Sequence, residues 1–426
     1  MRTLAKISIL ALLVLTVSAA CFGFGWAANT ALSPKPIPPA TPTPAASGEV
    51  PAGMEEQFKL FWQAWNIAEQ DFYGKPVDRQ KMLYGAIKGA LEALDDPYTT
   101  FLDPQVTAMT RQDLKEGKFE GIGAEIGKRE GRIIIVAPMA GTPAEKAGLR
   151  RGDAILKIDG KDTARMSVFD AVILIRGPKG TSVKLTIQRE GMKEPLEVVI
   201  TRAEILVPSA VGKMLDGDIA YVRFSRFGDK SLVELVDVLE GLLKNNPKSL
   251  ILDLRNNPGG YLQTSIEVAG LFIPEGVIVS EKTREDEKTW QYADGGKTLV
   301  YKSSKTGQEK YRAKAKPIAA KIPLVVLVNK GTASASEILS GALQDSGRAI
   351  LIGEQTFGKG SVFLDHSLSD GSSVHITSGY WYTPKGRQIN EQGLAPDIVV
   401  TMTEDDIQAQ RDPQLDRARE YLKTGK

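Results

Sequence analysis

From residue 216 onward, short apolar runs alternate with amphipathic stretches, and that alternation restricts the fold more than any other feature of the chain. Residues 219–224, 250–254 and 324–328 are strand-length and dominated by Leu, Val and Ile. Residues 230–244, 265–272 and 335–343 carry apolar side chains at three-to-four spacing. Strand and helix in turn predict an α/β core with a mainly parallel sheet, because parallel neighbours need a crossover that is usually helical. A run apolar throughout, such as 324–328, suits a strand covered on both faces. The polar, Lys-rich stretch 281–316 is expected to form an exposed hairpin insertion, and the charged tail after Thr401 a helix.

Two regions of different character precede this core. Residues 54–115 are helical in pattern, with Phe58, Phe61, Trp62, Trp65, Ile67 and Ala68, then Leu83, Ile87, Ala90, Leu91 and Leu94 near helical spacing. That aromatic stripe is expected to pack in the core or between domains, and Asp95-Asp96-Pro97-Tyr98 ends the second helix. Between 119 and 205, strand-like runs at 133–136, 154–158, 182–188 and 196–201 are punctuated by Asp159-Gly160 and Glu190-Gly191. Short helical stretches at 144–147 and 168–175 interleave, which makes a small, mostly-strand domain.

The chain opens with Arg2 and Lys6 before an apolar run from residue 7 to about 28, the pattern of an export signal. The run is long enough to stay in a membrane as an anchor, and small residues near Ala27 offer a cleavage site. Pro34, Pro36, Pro38, Pro39, Pro42 and Pro44 make the following stretch a semi-extended spacer. The expected layout is a signal or anchor over 1–28, a linker over 29–53, helices over 54–115, the small domain over 116–205, the core over 206–403 and a tail over 404–426. A net charge of +2 without a long basic run argues against a nucleic-acid partner. Cys21 is the only cysteine, which excludes disulfides within the chain and cysteine-ligated metal sites. With only His366 and His375, a His-rich zinc site is disfavoured, and no metal or cofactor is expected.

Chemistry concentrates in two segments of the core. Ser334 lies in Gly331-Thr332-Ala333-Ser334-Ala335-Ser336-Glu337, after a buried strand and at the start of a helix. Lys359 lies in Thr356-Phe357-Gly358-Lys359-Gly360. A ten-residue helix advances about 15 Å and a five-residue strand about 16 Å, so the chain can go out and return Lys359 to Ser334. A hydroxyl facing a neutral amine is a nucleophile with its base. The amine needs its pKa lowered by about three units to be half neutral near pH 7, and burial alone supplies that. The N–H of Ala335, unpaired at the helix start, is placed to bind an oxyanion. Gly259 and Gly260, in a second strand exit, let the backbone approach a substrate. N-capping alone also accounts for Thr332, Ser334 and Ser336. Gly353 and Gly358-Lys359 nearly spell a phosphate-binding loop, but Gly360 stands where its hydroxyl belongs and a strand pattern follows. His366 and His375, flanking the turn Ser369-Asp370-Gly371, are the rival bases, expected as cross-strand neighbours on a solvent-facing hairpin.

In the small domain, Phe119-Glu120-Gly121-Ile122-Gly123-Ala124-Glu125 offers successive N–H groups that suit a carboxylate, with a strand edge beside them for an extended peptide. Taken with Pro143-Ala144-Glu145-Lys146-Ala147-Gly148-Leu149 and Gly152-Asp153, this segment resembles a PDZ domain. In the core, Leu252-Asp253-Leu254-Arg255-Asn256-Asn257-Pro258-Gly259-Gly260, the Ser334 segment, the stretch 353–362, Tyr382-Thr383-Pro384-Lys385-Gly386-Arg387 and Pro396-Asp397-Ile398 resemble the carboxyl-terminal processing (tail-specific) serine proteases. Asp95-Asp96-Pro97-Tyr98-Thr99 fits the helical N-terminal part of that family.

The resemblance implies a ClpP/crotonase-like α/β protease core with an inserted, mainly-β PDZ domain and an N-terminal helical region. It implies Ser334 as nucleophile, Lys359 as general base, and Ala335 N–H with a glycine of the Gly259-Gly260 pair as the oxyanion hole. Polypeptide C-termini would be captured at Gly121, Ile122, Gly123 and Ala124, with Arg176 pairing the carboxylate or gating the site. The enzyme would act outside the cytoplasm, membrane-anchored or released, and a homo-oligomer is compatible with everything above. One residue departs from the family: glutamine is common four residues after the lysine, and here Phe363 stands there. Lys359, Ser361 and Phe363 would share one face of a strand. Two alternatives stay open, a PDZ scaffold on an inactive core and a histidine-dependent hydrolase or acyl-binding α/β enzyme.

Overall fold

The computed structural model describes residues 52–425, apart from 75, 97, 117, 130, 140, 165, 167, 404, 407, 408 and 410. The expected export segment and nearly all of the proline-rich spacer lie outside the described residues. Among the described residues no helix is long and apolar enough to cross a membrane.

Helices α1 (Glu55–Asp71) and α2 (Arg79–Glu92), strand β1 (Thr100–Leu102) and helix α3 (Pro104–Glu116) open the described chain. The small domain comprises β2 (Lys118–Gly121), β3 (Ala124–Arg129), β4 (Arg132–Pro138), α4 (Pro143–Lys146), β5 (Ala154–Ile158), β6 (Lys161–Asp162), α5 (Val168–Ile175), β7 (Ser182–Gln188), β8 (Leu196–Thr201) and β9 (Ala203–Leu206). Its sheet runs β3-β4-β5-β7-β8, with β3 at an edge, while β2 and β9 pair as a stalk joining it to its neighbours. Ile133, Ile135, Ile155, Ile158, Val183, Leu185 and Ile187 alternate inward along the strands and fill its core.

The core follows as β10 (Ala210–Leu215), β11 (Ile219–Phe224), α6 (Ser231–Leu243), β12 (Ser249–Asp253), α7 (Leu262–Ala269), β13 (Gly276–Thr283), β14 (Glu287–Ala293), β15 (Thr298–Ser303), β16 (Gly307–Arg312), β17 (Leu324–Val328), α8 (Ala335–Asp345), β18 (Ile350–Gly353), β19 (Ser361–Ser367), β20 (Ser373–Tyr382), β21 (Ile398–Val399) and α9 (Pro413–Thr424). One sheet runs β10-β11-β12-β17-β18-β21, parallel except for β10. Its strands are covered on both faces. Leu250, Leu252, Val326 and Val328 point into the main core with α6, α7 and α8, and Ile251, Val325, Leu327 and Ile352 meet Ala418 and Leu415 of α9. That double burial is what the apolar 324–328 run requires.

Three expectations need correction. The 281–316 stretch is no exposed hairpin: β13–β16 form a meander within a second, antiparallel sheet that also contains β1, β19 and β20. Tyr292, Leu299 and Val300 are buried there, and the Tyr292 hydroxyl donates to Ile266 O at 3.1 Å. Polar residues interspersed among them masked these apolar positions. The aromatic stripe of α1 is not core either. No residue of α1 is buried, and Leu60, Trp62 and Ile67 stand exposed while Phe61, Trp62 and Trp65 cluster among themselves. Finally, the histidines are not direct partners: His375 lies opposite Asp365, and His366 opposite Val374.

Candidate active site

Two strand exits of the parallel sheet meet at one end, where ligands of such sheets bind. β17 leads through 329–333 into α8, with Ser334 at the corner at φ 55°, ψ −118°. A non-glycine residue at positive φ is uncommon and persists only where its surroundings hold it. Here the adjoining exit from β12 does so. Thr332 Oγ1 donates to Leu254 O at 2.9 Å, Ala333 N to Asn257 O at 3.0 Å, and Ser336 Oγ to Asn257 O at 3.0 Å. Asn257, fully buried, donates from Nδ2 to Phe224 O and accepts Gly259 N–H at 2.9 Å.

These bonds bring Gly259 against the serine. Gly259 has φ +98°, and a Cβ there would lie 2.7 Å from Ala333 O, 2.8 Å from Ala335 N and 2.9 Å from Ser334 Cβ. Only glycine fits. Gly260 is pressed as closely on Phe227, whose carbonyl oxygen would lie 2.2 Å from a Cβ. Among the described residues the Ala335 and Gly260 N–H groups have no hydrogen-bond partner, whereas that of Gly259 is engaged by Asn257.

The chain leaves α8, forms β18 and returns along residues 354–360, as the lengths of helix and strand suggest. Glu337, one turn into α8 and fully buried, closes the gap. Its Oε2 accepts Ser334 N–H at 2.8 Å and Lys359 N–H at 2.9 Å. Its Oε1 accepts Thr356 Oγ1 at 2.6 Å and Gly358 N–H at 2.7 Å. Burial pushes the Glu337 carboxyl above the usual range, and the four donors pull the other way.

Lys359 is half-buried, and burial holds its amine below the ordinary lysine value, with Glu337 opposing. Among the described residues Nζ has no hydrogen-bond or ion-pair partner. Two rings lie against it: Phe363 with its centroid 5.4 Å from Nζ and Tyr98 at 5.8 Å. The Phe363 ring also stacks on His375 at 4.8 Å. His375 is therefore not on a solvent-facing hairpin. Its Nε2 lies 3.4 Å from Asp365, and burial keeps its pKa below the usual histidine value. Ser361 is buried, and its Oγ lacks a hydrogen-bond partner among the described residues.

In the small domain the predicted loop turns at Gly123, φ +76°, where a Cβ would strike Thr142 at 2.5 Å. Ile122 and Gly123 accept hydrogen bonds at their carbonyls from Ala144 N and Met139 N, while their own N–H groups have no partner among the described residues. Ala124 begins β3, the edge strand beside α5. The Arg176 guanidinium lies over the Phe119 ring at 4.4 Å, and its side-chain stem packs beside Gly121.

Sequence reasoning overlooked Glu337, Tyr98 and Asn257 as parts of the site. Ser334-x-x-Glu337 has capping-box spacing, which could have flagged the carboxylate. Tyr98 and Asn257 lie in motifs that the family resemblance marks, but their contacts to Lys359 and to Phe224 and residues 333–336 span long chain separations that the sequence does not show.

The peptidase family S41 model matches residues 218–400, a PDZ-domain model 134–189, and a model of the activating protease CtpB N-terminal domain 25–106. The carboxy-terminal processing protease CtpA of Bacillus subtilis is 38% identical over 344 residues, covering 81% of this chain and 69% of that protein. The carboxy-terminal processing protease CtpB of the same organism is 36% identical over 366 residues, covering 85% and 72%. The solved photosystem II D1 C-terminal processing protease superposes with a TM-score of 0.54 at 30% identity, covering 82% of this chain and 93% of that one. The chain is thus a serine-type peptidase with a PDZ domain and belongs to the carboxyl-terminal processing proteases of peptidase family S41.

Proposed function

We propose that this chain is an exported endopeptidase that captures polypeptide C-termini in its PDZ domain and cleaves them with Ser334 as nucleophile and Lys359 as general base. The observation that carries the reading is the single Glu337 oxygen to which both residues' backbones are bonded. Lys359 Nζ, its pKa held below the ordinary lysine value by burial, acts in its uncharged form and takes the proton of Ser334 Oγ as that oxygen attacks the scissile carbonyl. The oxyanion forms against the N–H groups of Ala335 and Gly260, with Gly259 keeping the space open. Collapse passes the lysine's proton to the leaving amine and leaves an ester on Ser334. Water, deprotonated by Lys359, then attacks the ester, and the lysine returns that proton to Ser334 Oγ as the acid product leaves.

For capture, the free N–H groups of Ile122 and Gly123 suit a terminal carboxylate, and the open edge of β3 suits an extended peptide. Arg176 adds positive charge beside Gly121. Export rests on Arg2, Lys6 and the apolar run that follows. Peptide libraries differing only at their C-termini, digested by wild type and Ser334→Ala and read by mass spectrometry, test the proposal. Cleavage that depends on both Ser334 and the terminal carboxylate is expected. Cleavage indifferent to C-terminal amidation would remove the capture step.

A further inference from the structure

Among the described residues, no hydrogen bond or ion pair holds the amine of the lysine that the Ser/Lys reading makes a base. Where the family commonly supplies an amide, this chain has Phe363, and a second ring, Tyr98, faces the same Nζ. Tyr98 lies outside the stretch that matches the peptidase family and inside the one that matches the N-terminal domain model. It is firmly delivered. Its N–H donates to Asp96 Oδ1 at 3.2 Å, Thr99 Oγ1 donates to Asp96 Oδ2 at 2.6 Å and accepts Thr377 N–H at 3.1 Å. Directly after it, β1 adds to β20 with Thr100 opposite His375. The strand that stacks His375 on Phe363 thus also anchors the segment carrying Tyr98.

We propose that Tyr98 is a positioning residue for the peptidase reaction: with Phe363 it walls Lys359 into an apolar slot that excludes water from the amine and limits its rotamers. The peptidase core is then incomplete without the N-terminal segment. This inference rests on Lys359 being the base and deepens that reading.

Two ring effects oppose each other. A ring face attracts an ammonium, but at 5.4 and 5.8 Å both contacts lie near the outer limit of about 6 Å, where the attraction is weak. Water exclusion disfavours the ammonium more strongly when a group is buried, so dehydration governs. The other charges facing this site are Glu337 from α8, which favours the ammonium, and His375 on β20, which disfavours it when protonated. Asp365 and Arg111 accompany His375, and Asp96 and Glu391 face Tyr98. None of these is altered by trimming Tyr98 to alanine.

The full chain is assayed on a peptide substrate from about pH 6 to about pH 10 as wild type, Tyr98→Ala and Tyr98→Phe. In Tyr98→Ala the rising limb of kcat/KM moves up by about one pH unit, about tenfold less activity at neutral pH. The loss falls on kcat, KM stays near wild type, and activity recovers at high pH. Tyr98→Phe keeps the wild-type limb. A limb that does not move, or the same loss at every pH, would overturn the proposal. Should Tyr98→Ala fold poorly in thermal melts, Tyr98→Ser provides the same comparison. A readout without turnover uses Ser334→Ala chains: the midpoint of Lys359 carbamylation by cyanate against pH, read by mass spectrometry, rises when Tyr98 is alanine. An unmoved midpoint overturns the slot. If Lys359→Ala remains active, the Ser/Lys reading fails instead, so the two failures are distinguishable.

Discussion

The backbone nitrogens of Ser334 and Lys359, far apart in sequence, donate to one and the same oxygen, Oε2 of Glu337, at 2.8 and 2.9 Å. The corner bearing the hydroxyl and the loop bearing the amine are therefore fixed to a common buried point. Neither can drift without breaking a charge-assisted hydrogen bond.

Glu337→Gln tests that tie. A carboxylate accepts all four donors, while an amide turns its NH₂ toward one pair and leaves at least one buried backbone N–H unpaired. The expected cost is about 2–4 kcal/mol, shared between stability and the barrier. Thermal melts and steady-state kinetics should show a lower Tm and kcat down about 10- to 100-fold with KM little changed. Wild-type kcat in Glu337→Gln would mean that the loops are positioned by other contacts.

Gly259→Ala should abolish turnover and strain the loop locally while leaving the PDZ domain intact. The added methyl would lie 2.8 Å from Ala335 N, covering the N–H that faces the oxyanion. Loss of one such donor costs about 10²–10³ in kcat. Substrate binding to the PDZ domain, measured by fluorescence anisotropy with a C-terminal peptide, should be unchanged. Retained turnover would place the oxyanion elsewhere.

Lys359→Met should stabilise the protein. Because burial lowers the amine's pKa in the folded chain below 10.5, the unfolded chain binds the proton more tightly. That penalty is full below the folded pKa, fades as pH rises through it, and is gone once the ordinary lysine value is passed. Melts should therefore show the variant ahead of wild type at neutral pH, with the gap closing toward about pH 10.5. A gap that widens with pH would contradict a dehydrated amine.

Asp412→Ala should weaken the loop that carries the glycines. Arg255, at the mouth of that loop, is held by Asp253 on one side and by bidentate bonds of 2.8 Å to Asp412 on the other. Asp412 also caps α9 by accepting Leu415 N–H. Removing it leaves Arg255 half-paired, at about 2 kcal/mol. Chemical denaturation would register that loss, and an unchanged midpoint would show that α9 docks by apolar packing alone.

The parts of the fold legible in sequence were those with one clear period. The runs at 154–158, 182–188, 219–224 and 324–328 coincide with strands because each is a strand-length, mostly apolar or alternating run. The meander β13–β16 escaped because Lys, Glu and Thr interspersed along it diluted the buried Tyr292, Leu299 and Val300. Helix α1 misled in the opposite sense: its aromatic stripe has core character, yet it stands exposed. In the site, Ser334, Ala335 and the glycines were legible because glycine-framed strand exits have local signatures. Glu337 and Tyr98 were not, since their roles depend on a loop returning and on β1 joining β20. Phe363 was noticed as a departure, but only the structure showed the second ring beside it.

Modification of Ser334 by a serine-reactive fluorophosphonate, followed by mass spectrometry across pH, reports most directly on the claim that an uncharged lysine activates this serine. Labelling should rise with pH along a single limb, vanish in Lys359→Ala, and persist in His366→Ala and His375→Ala. Undiminished labelling in Lys359→Ala, or its loss in either histidine variant alone, would contradict the claim.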